Sequence, residues 1–347
     1  MDFFSRIQNG SNSIKCLACK QYCIIPINNY GICGARKNVN GKIVLLTHSF
    51  PCSLHLDPIE KKPLYHFLPN SKTMSIGFFG CNFKCSFCQN ADISFIKRKE
   101  LENKISPLGK VTPKDFVNIA LQEKASSIAF TYNEPAISVE YNLEAIKQAH
   151  KIKEKNKLKS VYVSNGYLSS EQIKALTKKS TPLDAINIDL KSFDDSFYQN
   201  TCGGKLENVL KCIKEIHKKG IWLELTTLVI PQKNNSNEEI NRIAKWIKEL
   251  DKNIPWHLSA FFPMNNMQNV PPTSEKEIVN AVNVGKENGL NFVYGGNLSS
   301  INDTSNTYCP KCGSLLIERN GFSANSIGLK KGKCINCKEI IKGVFLE

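Results

Sequence analysis

The chain has 347 residues, of which 41% are hydrophobic and 22% charged, the composition of a globular protein of about two domains. It contains no apolar run of the roughly 18 residues that a membrane helix needs, and its N-terminus lacks the basic and apolar segments of a secretory signal. The net charge of +15 comes from 41 Lys and 5 Arg spread along the chain, which favours solvated helix faces over a nucleic-acid surface. We therefore expect a cytoplasmic protein without a membrane partner, whose 14 cysteines are reduced and for the most part serve as metal ligands.

Three regions follow one another along the chain. Residues 1–70 and 301–347 are rich in cysteine and lack long periodic segments, whereas residues 71–300 alternate short apolar runs with amphipathic segments. This alternation predicts repeated βα units, and hence parallel strands joined by right-handed crossovers. The predicted strands are Met74–Phe79, Ser127–Thr131, Ser160–Ser164, Ala185–Leu190, Trp222–Ile230, His257–Phe262 and Asn291–Tyr294.

Helices are predicted between these strands. Thr112 is an N-cap followed by a proline and an acid in the first turn, and Ser169 and Ser236 begin two further helices. The segments 137–155 and 205–218 supply two more. Six or so βα units are fewer than the eight of a closed barrel. The predicted fold class is therefore α/β, a partial and open (β/α)6 TIM-like barrel flanked by small cysteine modules, with its active face at the C-terminal ends of the strands.

The first cysteine group follows the first strand of the predicted barrel. Cys81, Cys85 and Cys88 form a C-x3-C-x2-C loop with no fourth cysteine close in sequence. Three thiolates suit a [4Fe–4S] cluster that leaves one iron open to a substrate or cofactor. The alternative is a zinc knuckle that a distant residue completes.

Two further groups contain four cysteines each. At the C-terminal end, two C-x2-C pairs separated by 21 residues predict a structural zinc site, with a rubredoxin-like iron as the alternative; its ligands are Cys309, Cys312, Cys334 and Cys337. Near the N-terminus, a structural zinc is favoured and a second iron–sulfur cluster is the alternative; the ligands are Cys16, Cys19, Cys23 and Cys33. Cys52, Cys202 and Cys212 are left without a role.

The cysteine loop at the start of a βα barrel resembles that of the radical S-adenosylmethionine (SAM) enzymes. The resemblance extends to the segments Asp57–Phe67, Thr131–Pro135 and Asp189–Lys191, which look like the radical SAM component of the AmmeMemoRadiSam system. That group is similar to the pyruvate formate-lyase-activating enzymes. The resemblance covers nearly the whole chain, including both terminal cysteine groups.

The resemblance implies an anaerobic radical mechanism. The open iron of the [4Fe–4S] cluster would chelate SAM, and one electron from a low-potential donor would cleave it to methionine and a 5′-deoxyadenosyl radical. This radical would abstract hydrogen from a partner protein, as in the activating enzymes, or from a small molecule alongside Memo-type and AMMECR-type partner proteins. The competing interpretation is a zinc-binding nucleic-acid or adaptor protein without radical chemistry, based on the two four-cysteine groups and the positive charge.

The resemblance also implies roles for individual residues. Cys81, Cys85 and Cys88 would be the cluster ligands. Phe87 would lie near the adenine of SAM, or simply pack in the core. Radical SAM enzymes usually have a Gly-Gly-Glu motif at the end of the second strand. This chain lacks the two glycines and would bind the methionine moiety with Tyr132, Asn133 and Glu134.

Further cofactor-binding residues are expected on later strands. Ser164 and Asn165 could bind the ribose, although Ser-Asn-Gly is also an ordinary turn. Asp189 and Lys191 share one strand face and could contact the SAM carboxylate, or form an ion pair at the strand end. His257 could face the substrate or be structural. The segment 57–66 either lines the mouth of the active site or is a solvated link.

Overall fold

The computed structural model describes residues 4–7, 13–95, 106–152, 157–298 and 303–345, which divide between two units. Unit 1 comprises residues 1–57, 72–185 and 201–221, and unit 2 comprises residues 58–71, 186–200 and 222–347. Each unit contains one of the two terminal cysteine groups. Within the described ranges, no helix is both long enough and apolar enough to cross a membrane.

The secondary structure alternates strands and helices through the middle of the chain. The strands are β1 (Ser5–Ile7), β2 (Ile14–Cys16), β3 (Ile24–Ile25), β4 (Arg36–Val39), β5 (Lys42–Leu45), β6 (Ser53–Pro58), β7 (Lys72–Gly77), β8 (Ser127–Phe130), β9 (Lys159–Ser164), β10 (Ala185–Asp189), β11 (Trp222–Val229), β12 (Trp256–Ala260), β13 (Val293–Gly296), β14 (Thr307–Tyr308), β15 (Leu315–Asn320), β16 (Ser323–Ser326), β17 (Leu329–Lys330) and β18 (Lys333–Cys334). The helices are α1 (Ala91–Ser94), α2 (Pro113–Gln122), α3 (Val139–Ala149), α4 (Ser170–Leu176), α5 (Asp195–Phe197), α6 (Leu206–Lys218), α7 (Asn237–Asp251) and α8 (Glu275–Glu287).

Unit 1 is built on the parallel strands β7, β8 and β9. Thr73 lies opposite Ser127, which in turn lies opposite Lys159. Every residue of β8 is buried, as expected of a strand with helices on its faces. Helix α2 begins with a complete capping box, in which the Thr112 side chain accepts a hydrogen bond from the backbone N–H of Asp115.

The N-terminal part of unit 1 consists of short antiparallel strands. β1 pairs with β2 and β2 with β3, while β4 and β5 form a separate hairpin. The buried guanidinium of Arg36, on β4, donates to both carboxylate oxygens of Glu140 on α3 and to the carbonyl oxygen of Ile137. This bidentate ion pair attaches the N-terminal hairpin to the helix that follows β8.

Unit 2 contains the parallel strands β11, β12 and β13. Leu225 lies opposite Trp256, and Trp256 lies opposite Val293. Helices α7 and α8 follow β11 and β12, and their N-caps are Ser236 and Ser274. Strand β10 is the neighbour of β11 on the other side, so this unit repeats the β–α order of unit 1.

The C-terminal region of unit 2 is a small antiparallel ribbon. Strands β14, β15 and β16 form a sheet, and β17 pairs with β18. Residues 66–68, before β7, form backbone hydrogen bonds with Val344 near the end of the chain. The Leu68 N–H donates to the Val344 carbonyl at 2.7 Å, and the Val344 N–H donates to the His66 carbonyl at 2.7 Å. The last described residues therefore supply backbone partners to a segment more than 270 residues earlier.

The predicted strands are confirmed within a few residues, because each is a short apolar run that ends at a turn. The predicted helix over 137–155 is α3, Val139–Ala149, preceded by a 3-10 turn that Pro135 begins. Residues 153–156 of that prediction lie outside the described residues. The helix predicted over 205–218 is α6, with Lys205 as its N-cap residue.

Candidate functional site

The cysteine loop, residues 78–90, connects β7 to α1 in unit 1. Its backbone is held by the segment after α5, because Lys84 and Ser86 donate to the carbonyl oxygens of Cys202 and Thr201 at 2.8 and 3.0 Å. Gly80 has a φ of 103°, and a Cβ at this position would lie 2.5 Å from the Cys33 carbonyl oxygen. Only glycine fits there, since both the positive φ and the close approach exclude a side chain.

The three cysteines of the loop lie in different surroundings. Cys85 is buried, whereas Cys81 and Cys88 are partly exposed. Burial raises the pKa of Cys81 well above its usual value, and the nearby charges of Glu134 and Cys85 raise it further. A bound cation must therefore offset this cost if Cys81 is to act as a thiolate ligand.

The spacing of the three sulfur atoms distinguishes two kinds of metal centre. Sulfur atoms around one tetrahedral zinc are about 3.8 Å apart, given Zn–S bonds of about 2.3 Å. In the part of the chain that the structure describes, the sulfur atoms of Cys81, Cys85 and Cys88 do not all lie within 4.8 Å of one another. A [4Fe–4S] cluster, in which each thiolate binds a different iron, does not require them to.

The residues after β8 hold the cysteine loop in place. Asn133 Nδ2 donates to the carbonyl oxygens of Phe78 and Gly80, the latter at 2.6 Å, and Asn90 Nδ2 donates to the carbonyl oxygen of Tyr132. Two of the predicted cofactor-binding residues, Tyr132 and Asn133, are thus in direct contact with the loop that carries the cysteines.

Tyr132 has an unusual backbone conformation. Its φ is 73°, and its hydroxyl donates to Asp57 Oδ2 at 2.8 Å. A Cβ on Gly77 would lie 2.9 Å from the Tyr132 ring, so the glycine at the end of β7 makes room for it. Burial raises the pKa of Tyr132, and the hydrogen bond to Asp57 raises it further. The phenol therefore stays protonated and anchors the start of the motif.

Glu134 joins the ends of two neighbouring strands. It is 1% exposed, and its carboxylate accepts from the Ala136 N–H at 2.9 Å, the Ser164 hydroxyl at 2.9 Å and the Asn165 N–H at 2.7 Å. The Asn165 side chain in turn donates to Asn82 Oδ1 in the cysteine loop at 2.7 Å. The structure therefore brings Glu134, Ser164 and Asn165 together with the loop, and their role in binding SAM stays a prediction.

Phe87 is buried in unit 1, 4% exposed. The other predicted cofactor-binding residues belong to unit 2. Asp189 ends β10, and its carboxylate pairs with Lys191 Nζ at 2.8 Å. The backbone of Lys191 is fixed by the Tyr198 hydroxyl and by Asn234 Nδ2, which donates to its carbonyl oxygen at 2.7 Å. Lys191 lies two residues beyond the end of β10, and the two side chains form the ion pair that was the alternative interpretation. Their contact with SAM stays a prediction.

His257 lies near the beginning of β12 in a buried network. Its Nε2 is 2.7 Å from the Glu224 carboxylate, which is fully buried. Glu224 also accepts from the N–H groups of Tyr65 and His66 and from Trp222 Nε1, at 2.8–2.9 Å. Burial opposes the charge of Glu224, but its bond with His257 and the nearby histidines hold its pKa below the usual value. These contacts fix His257 within the core of unit 2, and its role towards a substrate stays a prediction.

Sequence reasoning missed Glu224, Asn82 and Asn90. Glu224 stands in the apolar strand β11, and a charge inside such a strand is itself a signal of a buried partner. Asn82 and Asn90 lie within the cysteine loop, but their partners come from distant segments.

The C-terminal cysteines of unit 2 lie close enough together to bind a single metal ion. Cys309, Cys312, Cys334 and Cys337 have all four sulfur atoms within 4.8 Å of one another, with separations of 3.5 Å for Cys309–Cys337 and 3.8 Å for Cys312–Cys334. Such distances match about 3.8 Å around a tetrahedral zinc. Hydrogen bonds from Ser314 lower the pKa of Cys312 to about 6, which favours the thiolate that a metal requires.

The N-terminal cysteines lie in unit 1. Cys16 ends β2, and its N–H donates to the Cys23 carbonyl at 2.9 Å. Cys16, Cys19 and Cys33 are buried and Cys23 is partly exposed. Burial raises the pKa of Cys33 to about 11, and the neighbouring Cys16 adds to the shift. Among the remaining cysteines, Cys202 and Cys212 are buried, and Cys52 is partly buried.

Comparisons with known proteins agree with this geometry. Residues 75–247 match the radical SAM superfamily. The uncharacterized protein MJ0808 of Methanocaldococcus jannaschii is 37% identical over 98% of this chain and 97% of its own length. The putative glycyl-radical enzyme activating enzyme MJ1632 of the same organism is 26% identical over 58% of this chain and 72% of its own length.

One solved structure supports the fold class. A radical SAM methyltransferase from Sphaerobacter thermophilus superposes with a TM-score of 0.51 at 14% identity, covering 72% of this chain and 71% of its own. The predicted α/β fold with mostly parallel strands is thereby confirmed. The match of residues 75–247 to the family, together with the cysteine loop after β7, shows that the chain belongs to the radical SAM superfamily of enzymes.

Proposed function

We propose that this enzyme binds a [4Fe–4S] cluster through Cys81, Cys85 and Cys88 and uses it with SAM to abstract hydrogen from a substrate. The observation that carries the proposal is the set of hydrogen bonds joining the cysteine loop to the ends of β8 and β9. Asn133 donates to Gly80, and Asn165 donates to Asn82. These bonds bring three thiols and the predicted SAM-binding motif into one part of unit 1.

The cluster, when bound with SAM, supplies the electron that cleaves SAM to methionine and a 5′-deoxyadenosyl radical. Residues of this chain would hold the cluster and SAM in position. Asn133 and Asn90 fix the loop that carries the thiols, and the Gly80 turn lets the loop approach the N-terminal segment closely. Glu134, buried and negatively charged, offers a carboxylate for the amino group of the methionine moiety. The burial of Glu134 keeps water away from this carboxylate.

Asp189 and Lys191 are proposed to contact the carboxylate end of SAM. Lys191 is 9% exposed and is held by Asp189, so its ammonium group is oriented before any anion binds. Tyr198 and Asn234 fix the backbone on both sides of this lysine, which makes its position independent of the ligand.

We further propose that the chain is the radical SAM component of an AmmeMemoRadiSam-type system, acting with Memo-type and AMMECR-type partner proteins and a low-potential electron donor. Support comes from the segments Asp57–Phe67, Thr131–Pro135 and Asp189–Lys191 and from the cysteine groups at both ends. The similarity to proteins named as glycyl-radical enzyme activating enzymes favours a protein target over a small molecule. The C-terminal cysteines are proposed to hold a structural zinc, because their sulfur separations fit a closed tetrahedral site.

The test is SAM cleavage by the anaerobically purified full chain, reconstituted with iron and sulfide and reduced with dithionite. We expect 5′-deoxyadenosine from the wild type and none from the triple variant Cys81→Ala, Cys85→Ala, Cys88→Ala. The control is Cys212→Ala, which removes a buried cysteine of α6 to which no metal role is assigned and should leave cleavage unchanged. SAM cleavage by the triple variant, or its absence from the wild type, would contradict the proposal.

The target is identified by isotope transfer. Each candidate partner is produced with deuterium at its carbon-bound positions, the backbone Cα included, and incubated with the reconstituted enzyme and SAM. Deuterium in 5′-deoxyadenosine marks the partner as the substrate. If it appears with none of the partner proteins but does with a deuterated small-molecule extract, the protein-target proposal is wrong.

A further inference from the structure

The four N-terminal cysteines converge from two short segments of unit 1. The hydrogen bond between the Cys16 N–H and the Cys23 carbonyl closes the turn that carries Cys19. The Ile32 N–H lies 3.5 Å from Cys23 Sγ, which places Cys33 beside the same turn. Cys16 and Cys33 are also close enough to Cys19 for their charges to act on it. The four cysteines therefore lie close together in unit 1.

The spacing of these sulfur atoms does not suit a single zinc. Among the residues that the structure describes, the C-terminal group alone has three or more ligand atoms all within 4.8 Å of one another. No three sulfur atoms of the N-terminal group lie this close together, and neither do the three of the Cys81 group. Thiolates on one zinc are about 3.8 Å apart, whereas thiolates on separate irons of a cubane cluster lie further apart. By this measure the N-terminal cysteines resemble the cluster ligands and differ from the zinc ligands.

A buried N–H donor near these cysteines lacks an acceptor. In the described residues, Arg36 Nε is buried and has no hydrogen-bond partner. The Arg36 charge acts on Cys16 and Cys33, and the Asn82 amide interacts with the side chain of Cys19. A buried donor without an acceptor is costly. A sulfide or thiolate sulfur of an iron–sulfur cluster would satisfy it.

The group also touches the cysteine loop. The Cys33 carbonyl packs against Gly80, and Gln21 Nε2 donates to the carbonyl oxygen of Asn82 at 2.9 Å. The Asn82 side chain interacts with Cys19, and its Oδ1 is 3.9 Å from Cys81 Sγ. One side chain therefore lies between a cysteine of the N-terminal group and a cysteine of the loop.

We propose that Cys16, Cys19, Cys23 and Cys33 bind a second [4Fe–4S] cluster, with Asn82 between it and the cluster of the Cys81 loop. Given the proposed function, this second cluster passes one electron to the first: the second is oxidised by one electron and the first is reduced by one. A low-potential one-electron donor, such as a ferredoxin or dithionite, then reduces the second cluster again. The metal site itself does not depend on SAM cleavage.

The test measures iron, zinc and spectra of the full chain after anaerobic reconstitution. We expect about eight iron atoms per wild-type chain, and about four in the triple variant Cys81→Ala, Cys85→Ala, Cys88→Ala. Zinc should stay at about one per chain in both, from the C-terminal group. In the dithionite-reduced wild type, the electron paramagnetic resonance signals of the two clusters should broaden each other, and the triple variant should give one unbroadened signal.

The position of Asn82 is tested in the triple variant, where only the second cluster is present. Asn82→Asp keeps the acceptor for Asn165 but removes the N–H donor and adds negative charge, so the midpoint potential of the second cluster should fall. Asn118→Asp, the same change at an exposed position of α2, is the control and should leave the potential unchanged. An unchanged potential in Asn82→Asp would overturn the placement of Asn82.

The outcomes separate this inference from the proposed function. A wild type that cleaves SAM with about four irons and about two zincs would overturn the second cluster and leave the proposed function intact. A triple variant that retains about four irons, together with a wild type that cleaves no SAM, would support the second cluster and overturn the proposed function.

Discussion

Replacing Glu224 with glutamine tests the buried network of unit 2. The carboxylate accepts four hydrogen bonds, two at each oxygen: Oε1 from His66 N–H and Trp222 Nε1, and Oε2 from Tyr65 N–H and His257 Nε2. In the variant Glu224→Gln, one oxygen becomes an NH2 group that faces two donors. Even if His257 changes tautomer to accept from the amide, the Tyr65 N–H loses its acceptor.

The expected cost follows from these contacts. One hydrogen bond to a charged group is lost and one buried N–H is left unsatisfied, which together cost about 2 to 3 kcal/mol in the free energy of unfolding. This is a large share of the about 5–15 kcal/mol that stabilises a typical domain. The pKa of Glu224 is held below its usual value of 4.5, so its contribution is complete above that pH and is lost as the pH falls further. The variant should lose this acid dependence as well as stability.

Tryptophan fluorescence during urea unfolding is the assay. All three tryptophans of the chain, at positions 222, 246 and 256, belong to unit 2, so the signal reports on this unit. The matched control is Glu249→Gln at an exposed position of α7, which should change the stability by less than about 0.5 kcal/mol. A Glu224→Gln variant as stable as this control would refute the reasoning.

Three further changes test other parts of the structure. Burial lowers the pKa of His66 from 6.5 to about 4. The free energy of unfolding of unit 2 should therefore fall by about 3 kcal/mol as the pH falls across that range. Urea unfolding at several pH values should show this loss in the wild type and not in His66→Asn. Cys312→Ser, at an exposed ligand position, should release zinc and lower the unfolding midpoint of unit 2, the effect that a chelator should also have. Metal analysis and fluorescence measure the two effects. Equal zinc content in variant and wild type would contradict the proposed zinc site. Glu140→Gln leaves the buried Arg36 without its carboxylate partner, and because Glu140 is about a third exposed, the free energy of unfolding should fall by about 2 kcal/mol. Unfolding followed by circular dichroism measures this loss. The control Glu144→Gln, on the exposed face of α3, should leave the stability unchanged.

The strands and helix starts were predictable because their signals are local. Thr112 and Ser236 cap helices by contacts within three residues, and each parallel strand is an apolar run between turns. The grouping of Glu134, Ser164 and Asn165 was also predictable, because side chains that follow neighbouring parallel strands meet at one edge of the sheet.

Contacts between distant segments could not be read from the sequence. The Arg36–Glu140 pair spans 104 residues, and the Glu224 network links residues 65 and 66 with residue 257. No local pattern specifies such a pairing, since an arginine in a hairpin or a glutamate in a strand has many possible partners. For the same reason, the sequence does not show that the segment 58–71 belongs to unit 2, because so short a segment carries too few residues to indicate where it packs.

The pairing of residues 66–68 with residue 344 has a consequence for biosynthesis. The His66 side chain donates to the Lys342 carbonyl at 2.8 Å, and the backbone groups around it bond to Val344. Residues 66 and 342 are 276 positions apart in sequence, so this early segment has no backbone partner from the end of the chain while the ribosome is translating the residues between them. Unit 2 is thus completed only after translation of residue 344, and nascent chains that stop earlier present an unpaired backbone edge to chaperones and proteases.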